Sequence, residues 1–530
     1  MSLPPSTSIS PFGLPAVPPS VIHMLDRAVQ LNAEGEAVVV DPFRLSYRDL
    51  VASVNSLAGH LRSMGANGDR VAIALPNSVD AVVAILAVMA SGAQAVLINP
   101  SYRPREFDQL MSDAQPVLLI CTSERMHSNA ETIARTTRRS PIVLQEYDGA
   151  FVRRSESAQP ALIAPLPDAE SLALLLYTGG TTGQAKGVNI SHRTLALNIS
   201  QRAIMLPSRK TQERTLGMTP LFHAYATHMV LLPALESAST AIFMRRYRPE
   251  AALEMIALEK ITLFAGAPTI YNGLIKHPRF PNTEYGTLVG AFSGAAPLSV
   301  ETLSTWERTT GVPIAEGYGL TEATGILCFN PLYGVRKPGS VGLPLPLTEV
   351  QIVDIADGEV ILPFGQVGEI RARGPQLMVG YRNQPIETAN MIRNGWLYTG
   401  DIGELDEDGY VYIRDRKKDM VIVSGYNVYP REIDEVLFAH PDILEAVTVG
   451  LPDPYRGETI GVCVALKCGS SIDAAALLDH CQQNLTAYKV PTIIHFMPEI
   501  PKTAAGKIDR RAARSIILDA TAAKAQGADQ

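Results

Sequence analysis

Between Tyr177 and Gly187 the chain reads Tyr-Thr-Gly-Gly-Thr-Thr-Gly-Gln-Ala-Lys-Gly. Gly179, Gly180 and Gly183 let backbone N–H groups converge on an anion. The hydroxyls of Thr178, Thr181 and Thr182 add donors, and Lys186 adds a point charge. This is the chemistry of a polyphosphate cradle. It is not a Walker A loop, which needs Gly-Lys-Ser/Thr in succession, because Gln184 and Ala185 separate Gly183 from Lys186.

Other groups with chemical potential recur at wide intervals. Leu221-Phe-His223-Ala-Tyr225 follows Met218-Thr-Pro220. Gly317-Tyr318-Gly319-Leu-Thr321-Glu322 follows an apolar run at Pro313–Ala315. Trp396-Leu-Tyr-Thr-Gly-Asp401 precedes a charged run, Arg414 to Asp419. Near the end stands Pro501-Lys-Thr-Ala-Ala-Gly-Lys507-Ile-Asp-Arg510, which reads as a cationic, hairpin-like loop. Taken singly, each has a structural explanation: an interior histidine, a turn aromatic, a capping aspartate, a solvated charged turn.

The elements that must position these groups follow from hydrophobic patterning. The apolar run Leu172–Leu176 predicts a buried strand leading into the glycine–threonine loop. Val71–Leu75, Ala95–Ile98, Pro116–Ile120, Ile261–Phe264 and Leu288–Phe292 also read as strands, with a helix predicted from Ser78 to Met89. Alternation of this kind implies α/β layers with largely parallel sheets. Glu349–Arg373 alternates apolar and polar residues and predicts a small antiparallel subdomain. After the charged run, a helix at Glu432–Phe438, strands at Ala446–Val449 and Val462–Leu466, and a helix at Ala474–Gln483 predict a further small domain.

A chain of 530 residues is too long for one hydrophobic core. With 46% apolar and 19% charged residues it is ordinary for a globular enzyme, and a net charge of −7 offers no footprint for nucleic acid. The five cysteines contain no Cys-x-x-Cys pair, which suits reduced thiols and a cytoplasmic location. No stretch is apolar for long enough to span a bilayer. Val82–Leu97, the best candidate, is interrupted by Ser91, Gly92 and Gln94, and reads as a core helix running into a strand. The proline-punctuated residues 1–20 read as an extended arm.

In this order, the set resembles the AMP-forming adenylate-forming superfamily, and most closely its acyl-CoA synthetase branch of fatty-acyl and aryl-CoA ligases. The resemblance extends from about Leu45 to Arg510. It implies a large N-terminal domain of layered α/β sheets with a small β subdomain (21–417), and a small mobile α+β C-terminal domain (418–530) carrying the catalytic lysine. It also implies roles. Thr178 to Lys186 would hold the β- and γ-phosphates of ATP, with Thr178 and Glu322 near Mg²⁺. Tyr318, in Glu316-Gly317-Tyr318-Gly319 followed by Thr321, would stack on adenine, with Gly294-Ala295-Ala296 along the other face. Asp401 would receive the ribose hydroxyls beside Arg416. Lys507 would bridge the acid's carboxylate and the α-phosphate, with His223 and Glu322 also catalytic. Lys418 falls at the hinge position, and Gly425 matches the glycine that admits the pantetheine of CoA. The chain departs from the family pattern at Gly179, where serine is commoner, and at Ala185, where proline is commoner.

The resemblance therefore implies an ATP-dependent ligase that joins a small carboxylic acid to CoA. His223 stands where amino-acid-activating relatives carry aspartate, which disfavours an α-amino acid. Tyr225, Phe292, Thr324, Gly325, Ile326 and Leu327 would line the acyl pocket. They are mostly apolar, with no arginine to receive a second carboxylate, so a hydrophobic monocarboxylic acid is expected. Two other readings stay open: an acyl-AMP ligase serving a carrier protein, and a non-catalytic nucleotide- or acyl-binding homologue. Peripheral membrane contact and a homodimer are compatible with the sequence; nucleic acid is not an expected partner.

Overall fold

The computed structural model describes residues 16–153, 161–179, 185–503 and 508–528. Its architecture is a large mixed α/β N-terminal domain followed by a smaller α+β C-terminal domain.

Two sheets dominate the N-terminal part. In the first, six parallel strands run side by side in the spatial order Ile314–Tyr318, Gly290–Ser293, Leu263–Gly266, Arg214–Gly217, Thr240–Phe243 and Glu36–Val40. Antiparallel strands close both edges. In the second sheet, Leu172–Gly179, Gln94–Leu97, Arg70–Ala74, Leu118–Thr122 and Ile142–Leu144 are parallel, and Ala185–Ser191 and Gly380–Tyr381 add antiparallel strands. Parallel strands are covered on both faces, so they read as unbroken apolar runs. The strands predicted in these two sheets therefore appear where expected, with ends displaced by up to three residues, as at Leu118–Thr122 against Pro116–Ile120.

The largest core lies between these sheets. Every residue of the helix Val79–Ala90 is buried in it, including Asp80, whose carboxylate caps the Gly149 and Phe151 amides at 2.9 and 2.8 Å. This helix and the strand Gln94–Leu97 account for the long apolar stretch Val82–Leu97. Among the described residues no helix is long and apolar enough to cross a membrane.

Glu349–Val353, Gly368–Arg373 and Trp396–Leu405 form the expected antiparallel subdomain with Ile392–Arg393 and Val411–Arg416. In the C-terminal domain, long strands Ile443–Asp453 and Gly457–Leu466 pair antiparallel, and the helices Pro430–Phe438 and Ala474–Asn484 pack on one face of that sheet. Of the expected arm, residues 16–20 are described and carry neither helix nor strand, and Ser20 caps the helix Val21–Asn32.

The charged run 414–419 is not simply a solvated turn. Arg414 to Arg416 complete a β-strand, and strand alternation turns Asp415 inward while its neighbours face out. Buried Asp415 accepts the amides of Arg416 and Arg431 at 2.7 and 2.8 Å.

Candidate active site

The glycine–threonine loop joins two antiparallel strands whose register places Thr178 opposite Lys186 and Gly179 opposite Ala185. Gly180, Thr181, Thr182 and Gly183 lie outside the described residues. The Lys186 ammonium pairs with Glu387 and sits 5.2 Å from the centre of the Tyr381 ring. The Tyr381 hydroxyl in turn donates to Glu322 Oε1 at 2.7 Å, and Glu322 is buried. A single aromatic ring thus spaces the loop cation from the carboxylate. Tyr381 and Glu387 were not singled out from sequence: Glu387 is 201 positions from Lys186, and Tyr381 belongs to a strand of two residues. No local motif announces such partners.

Glu322 and Thr178 are hard oxygen donors, and they are few. Mg²⁺ is ordinarily held by one or two carboxylates together with substrate phosphates and water, so this sparse set suits it. Among the described residues no group of three or more His, Cys, Asp or Glu could hold a metal ion on its own.

Tyr318 and Asp401 come from different sheets and meet through a hydrogen bond from the tyrosine hydroxyl to Asp401 Oδ2. Arg416, paired with Asp401 across adjacent strands, brings its Nε to 3.5 Å from Oδ1. Burial raises the Asp401 carboxyl above its ordinary value, and Arg416 and Tyr318 oppose that. Beyond Tyr318, Gly319 passes so close to Gly325 that a Cβ on it would lie 1.8 Å from the Gly325 carbonyl oxygen. A glycine at 319 is what permits this approach, which folds Thr321, Glu322 and Thr324 back beside Tyr318. Gly294, Ala295 and Ala296 follow the neighbouring strand. Exposed Ala295 has φ +68, a sparsely populated conformation for a non-glycine residue.

The Glu316 side chain accepts the Leu298 amide at 3.0 Å. Burial pushes its carboxyl up to about 7, partly offset by Arg431. Folded protein therefore keeps a proton that the unfolded chain releases near 4.5. This group's contribution to stability is complete below that lower value and is lost as pH rises through about 7. Glu316→Gln keeps the acceptor and removes the charge. Its Tm should exceed that of wild type at pH 8 and match it at pH 4; equal shifts at both pH values would contradict this account.

At the other end, His223 caps a short helix, and its Nδ1 accepts the Tyr225 amide at 3.2 Å. The neutral ring then carries its hydrogen on Nε2. The Tyr225 hydroxyl donates to the carbonyls of Phe292 and Gly266 at 3.0 and 3.2 Å, and its ring packs against Gly294. Phe292 is fully buried, edge-on to Phe329. Ile326 joins this core, whereas Leu327 points the other way, into the cluster with Val350 and Ile352. Thr324 is fully buried with φ +56, and Gly325 packs on His228. These residues include no arginine, but one lies beside Phe292. Arg202, buried on the helix His192–Met205, holds its guanidinium carbon 5.3 Å from the centre of the Phe292 ring.

Lys418 is half-buried, and burial together with Arg416 lowers its ammonium from the usual lysine range. The helix Pro430–Phe438 is tied to the preceding strand by Arg431, which donates to the Ile413 carbonyl at 2.6 Å. Gly425 sits with Ser424 in a two-residue hairpin turn between Val423 and Tyr426. Both turn residues have positive φ, and nothing lies within 4 Å of a Cβ built on Gly425. Lys507 lies outside the described residues. The segment that carries it is closed at its base by a Lys502–Ile508 bridge and by the Asp509 amide on the Pro501 carbonyl at 2.8 Å.

Comparison with known proteins gives the family. Residues 25–382 match the family described as AMP-binding enzyme, and residues 432–507 match the AMP-binding enzyme C-terminal domain. A long-chain-fatty-acid–CoA ligase of Bacillus subtilis (strain 168) is 36% identical over 501 residues, 88% of this chain and 89% of that protein. ATP-bound MatB from Rhodopseudomonas palustris superposes with a TM-score of 0.85 at 30% identity, covering 93% of this chain and 98% of that one. The anthranilate CoA ligase AuaEII in complex with anthranoyl-AMP superposes with a TM-score of 0.87 at 26% identity, covering 96% and 99%.

Proposed function

Since this chain belongs to the AMP-forming adenylate-forming superfamily, in its fatty-acyl and aryl-CoA ligase branch, we propose that it activates a hydrophobic monocarboxylic acid as an acyl-adenylate and passes the acyl group to CoA. The observation that carries the reading is the convergence of Lys186, Tyr381 and Glu322 beside the glycine–threonine loop, with Tyr318, Asp401 and Arg416 meeting at the sheet junction. The first group suits a polyphosphate, and the second suits a nucleoside.

In the first half-reaction the acid's carboxylate attacks the α-phosphorus of ATP, and pyrophosphate departs. Anion meets anion, so positioning and charge neutralisation dominate the barrier. The loop from Thr178 to Lys186 orients the departing phosphates, with Lys186 exchanging Glu387 for a phosphate oxygen. Glu322 and Thr178 would hold Mg²⁺, which when bound supplies neutralising charge at the phosphates. Tyr318 and the segment 294–296 sandwich the adenine, while Asp401, beside Arg416, accepts the ribose hydroxyls. Lys507, a compact charge on a flexible stem, reaches the carboxylate and the α-phosphate together, and His223 offers Nε2–H to the acid. No general base is needed, because the carboxylate is ionised near neutral pH.

In the second half-reaction the CoA thiol attacks the acyl carbon and AMP leaves. The thiol must approach where Lys507 stood, so we place a domain boundary at 417/418 and a rotation about Lys418. Gly425 then offers the pantetheine a surface free of side chain. The names of the relatives favour CoA as acceptor and leave both alkyl and aryl acids in view.

Acid-dependent ATP–pyrophosphate exchange over a carboxylate panel, followed by thioester detection with CoA, tests the proposal. Exchange without any thioester would move the assignment to a carrier-protein ligase. No exchange with any acid would end the ligase reading. Tyr381→Phe keeps the ring under Lys186 and deletes the hydroxyl on Glu322. It should lower kcat/KM for ATP about tenfold, the usual worth of a hydrogen bond to a charged group, and lower Tm as well, because buried Glu322 loses a partner; an unchanged kcat/KM would remove Tyr381 from the site.

A further inference from the structure

Arg202 is the least satisfied charge near the expected acyl pocket. Its side chain is 1% exposed, yet it forms no ion pair with a carboxylate among the described residues. One terminal nitrogen, Nη1, donates to the Leu206 carbonyl at 3.3 Å, and the buried Nε–H has no partner among the described residues. Burial lowers its pKa to about 10, so it stays charged at neutral pH. The nearest acidic influence is Glu236, which pairs with Arg27 at 3.5 Å.

The placement of this arginine gives the anomaly a meaning. Asn198, one turn earlier on the same helix face, clamps both polar groups of the Ile326 backbone, at 2.8 and 3.2 Å. Arg202 lies over Phe292. The helix His192–Met205 thus packs directly against two of the residues, Phe292 and Ile326, expected to hold the acyl group. A cation near an aromatic ring is attracted to it, but a ring is a weaker partner for a buried N–H than an oxygen acceptor is. Buried donors without partners are rare and costly. A ligand oxygen that reached Nε would relieve that cost, and a plain hydrocarbon tail would not.

We propose that Arg202 is a specificity-determining residue, and that the preferred acid has an apolar body and a second oxygen, hydroxyl or carboxylate, remote from the reacting carboxylate. This rests on the ligase reading above: a distal hydroxyl narrows its substrate class, whereas a distal carboxylate would replace the monocarboxylic acid named there by a dicarboxylic one. The binding is non-covalent, and the Nε–H donates to the distal oxygen.

The test compares acids in pairs by ATP–pyrophosphate exchange. Straight-chain alkanoic acids of several lengths are set against their ω-hydroxy and ω-carboxy analogues, and cinnamic and benzoic acids against their 4-hydroxy analogues. Wild type should favour the oxygenated member of at least one pair about tenfold or more in kcat/KM. Arg202→Met should cut that ratio by roughly ten- to hundredfold, the usual worth of a charge-assisted hydrogen bond, and Arg202→Lys should fall between. The ω-hydroxy and ω-carboxy arms separate a neutral from an anionic distal group. A purely structural arginine would depress both members of a pair alike, so an unchanged ratio in Arg202→Met overturns the proposal. So does a wild type that favours the unsubstituted acid in every pair, a result that needs no variant to fold. No exchange with any acid would instead overturn the ligase reading, and this inference with it.

Discussion

Lys507→Ala should lower acyl-adenylate formation about a thousandfold, at the upper end of what one preorganised electrostatic donor contributes. Thioester formation from supplied acyl-adenylate and CoA should stay within about tenfold of wild type. The asymmetry follows from the chemistry. Charge accumulates on the α-phosphate and pyrophosphate in the first half-reaction, whereas in the second only the phosphate of the departing AMP gains charge, with no pyrophosphate beside it, and the thiol needs the space. The neighbouring Lys502 provides the control. Its ammonium is already held by Glu445 at 3.0 Å and Glu499 at 3.4 Å, so Lys502→Ala should retain most adenylation. Equal losses in both half-reactions for Lys507→Ala would contradict a domain rotation that removes this lysine from the second step.

Asp401→Asn should raise KM for ATP roughly a hundredfold, consistent with weakening one or two hydrogen bonds to a charged acceptor. The same change should leave Tm equal or higher at neutral pH. Burial raises the Asp401 carboxyl above its ordinary value, so the folded protein binds its proton more tightly than the unfolded chain does. Its contribution to stability is complete below the unfolded pKa and is lost as pH rises through the folded one. At neutral pH the ionised carboxylate is therefore a local cost that the amide removes. A cycle with 2′- and 3′-deoxy-ATP checks the assignment. Wild type should discriminate against both deoxynucleotides, and Asp401→Asn should discriminate far less. Undiminished discrimination would place the ribose elsewhere.

Sequence and structure diverge in an instructive way. Leu172–Leu176 was legible as a strand because a strand buried on both faces is apolar throughout, and Val79–Ala90 because a fully buried helix is too. Asp415 was misread inside a charged run, since composition says solvent while strand alternation and the Arg431 amide turn it inward. Tyr381, Glu387 and Arg202 carry no local signal at all. Tyr381 and Glu387 acquire their partners from distant segments, Glu322 59 positions away and Lys186 201 positions away, and Arg202 meets Phe292 from another element.

By itself the sequence determined the layered α/β class, the family resemblance and the loop that opens the site. These depend on periodicity and on short contiguous motifs, which the chain writes locally. Tertiary structure alone decided that a tyrosine ring separates Lys186 from Glu322, that Tyr318 donates to Asp401 from another sheet, and that a guanidinium with no carboxylate partner among the described residues lies near the Phe292 ring. Those facts depend on which strands become neighbours and on where burial strips water from a charge, and neither is encoded in any single stretch of the chain.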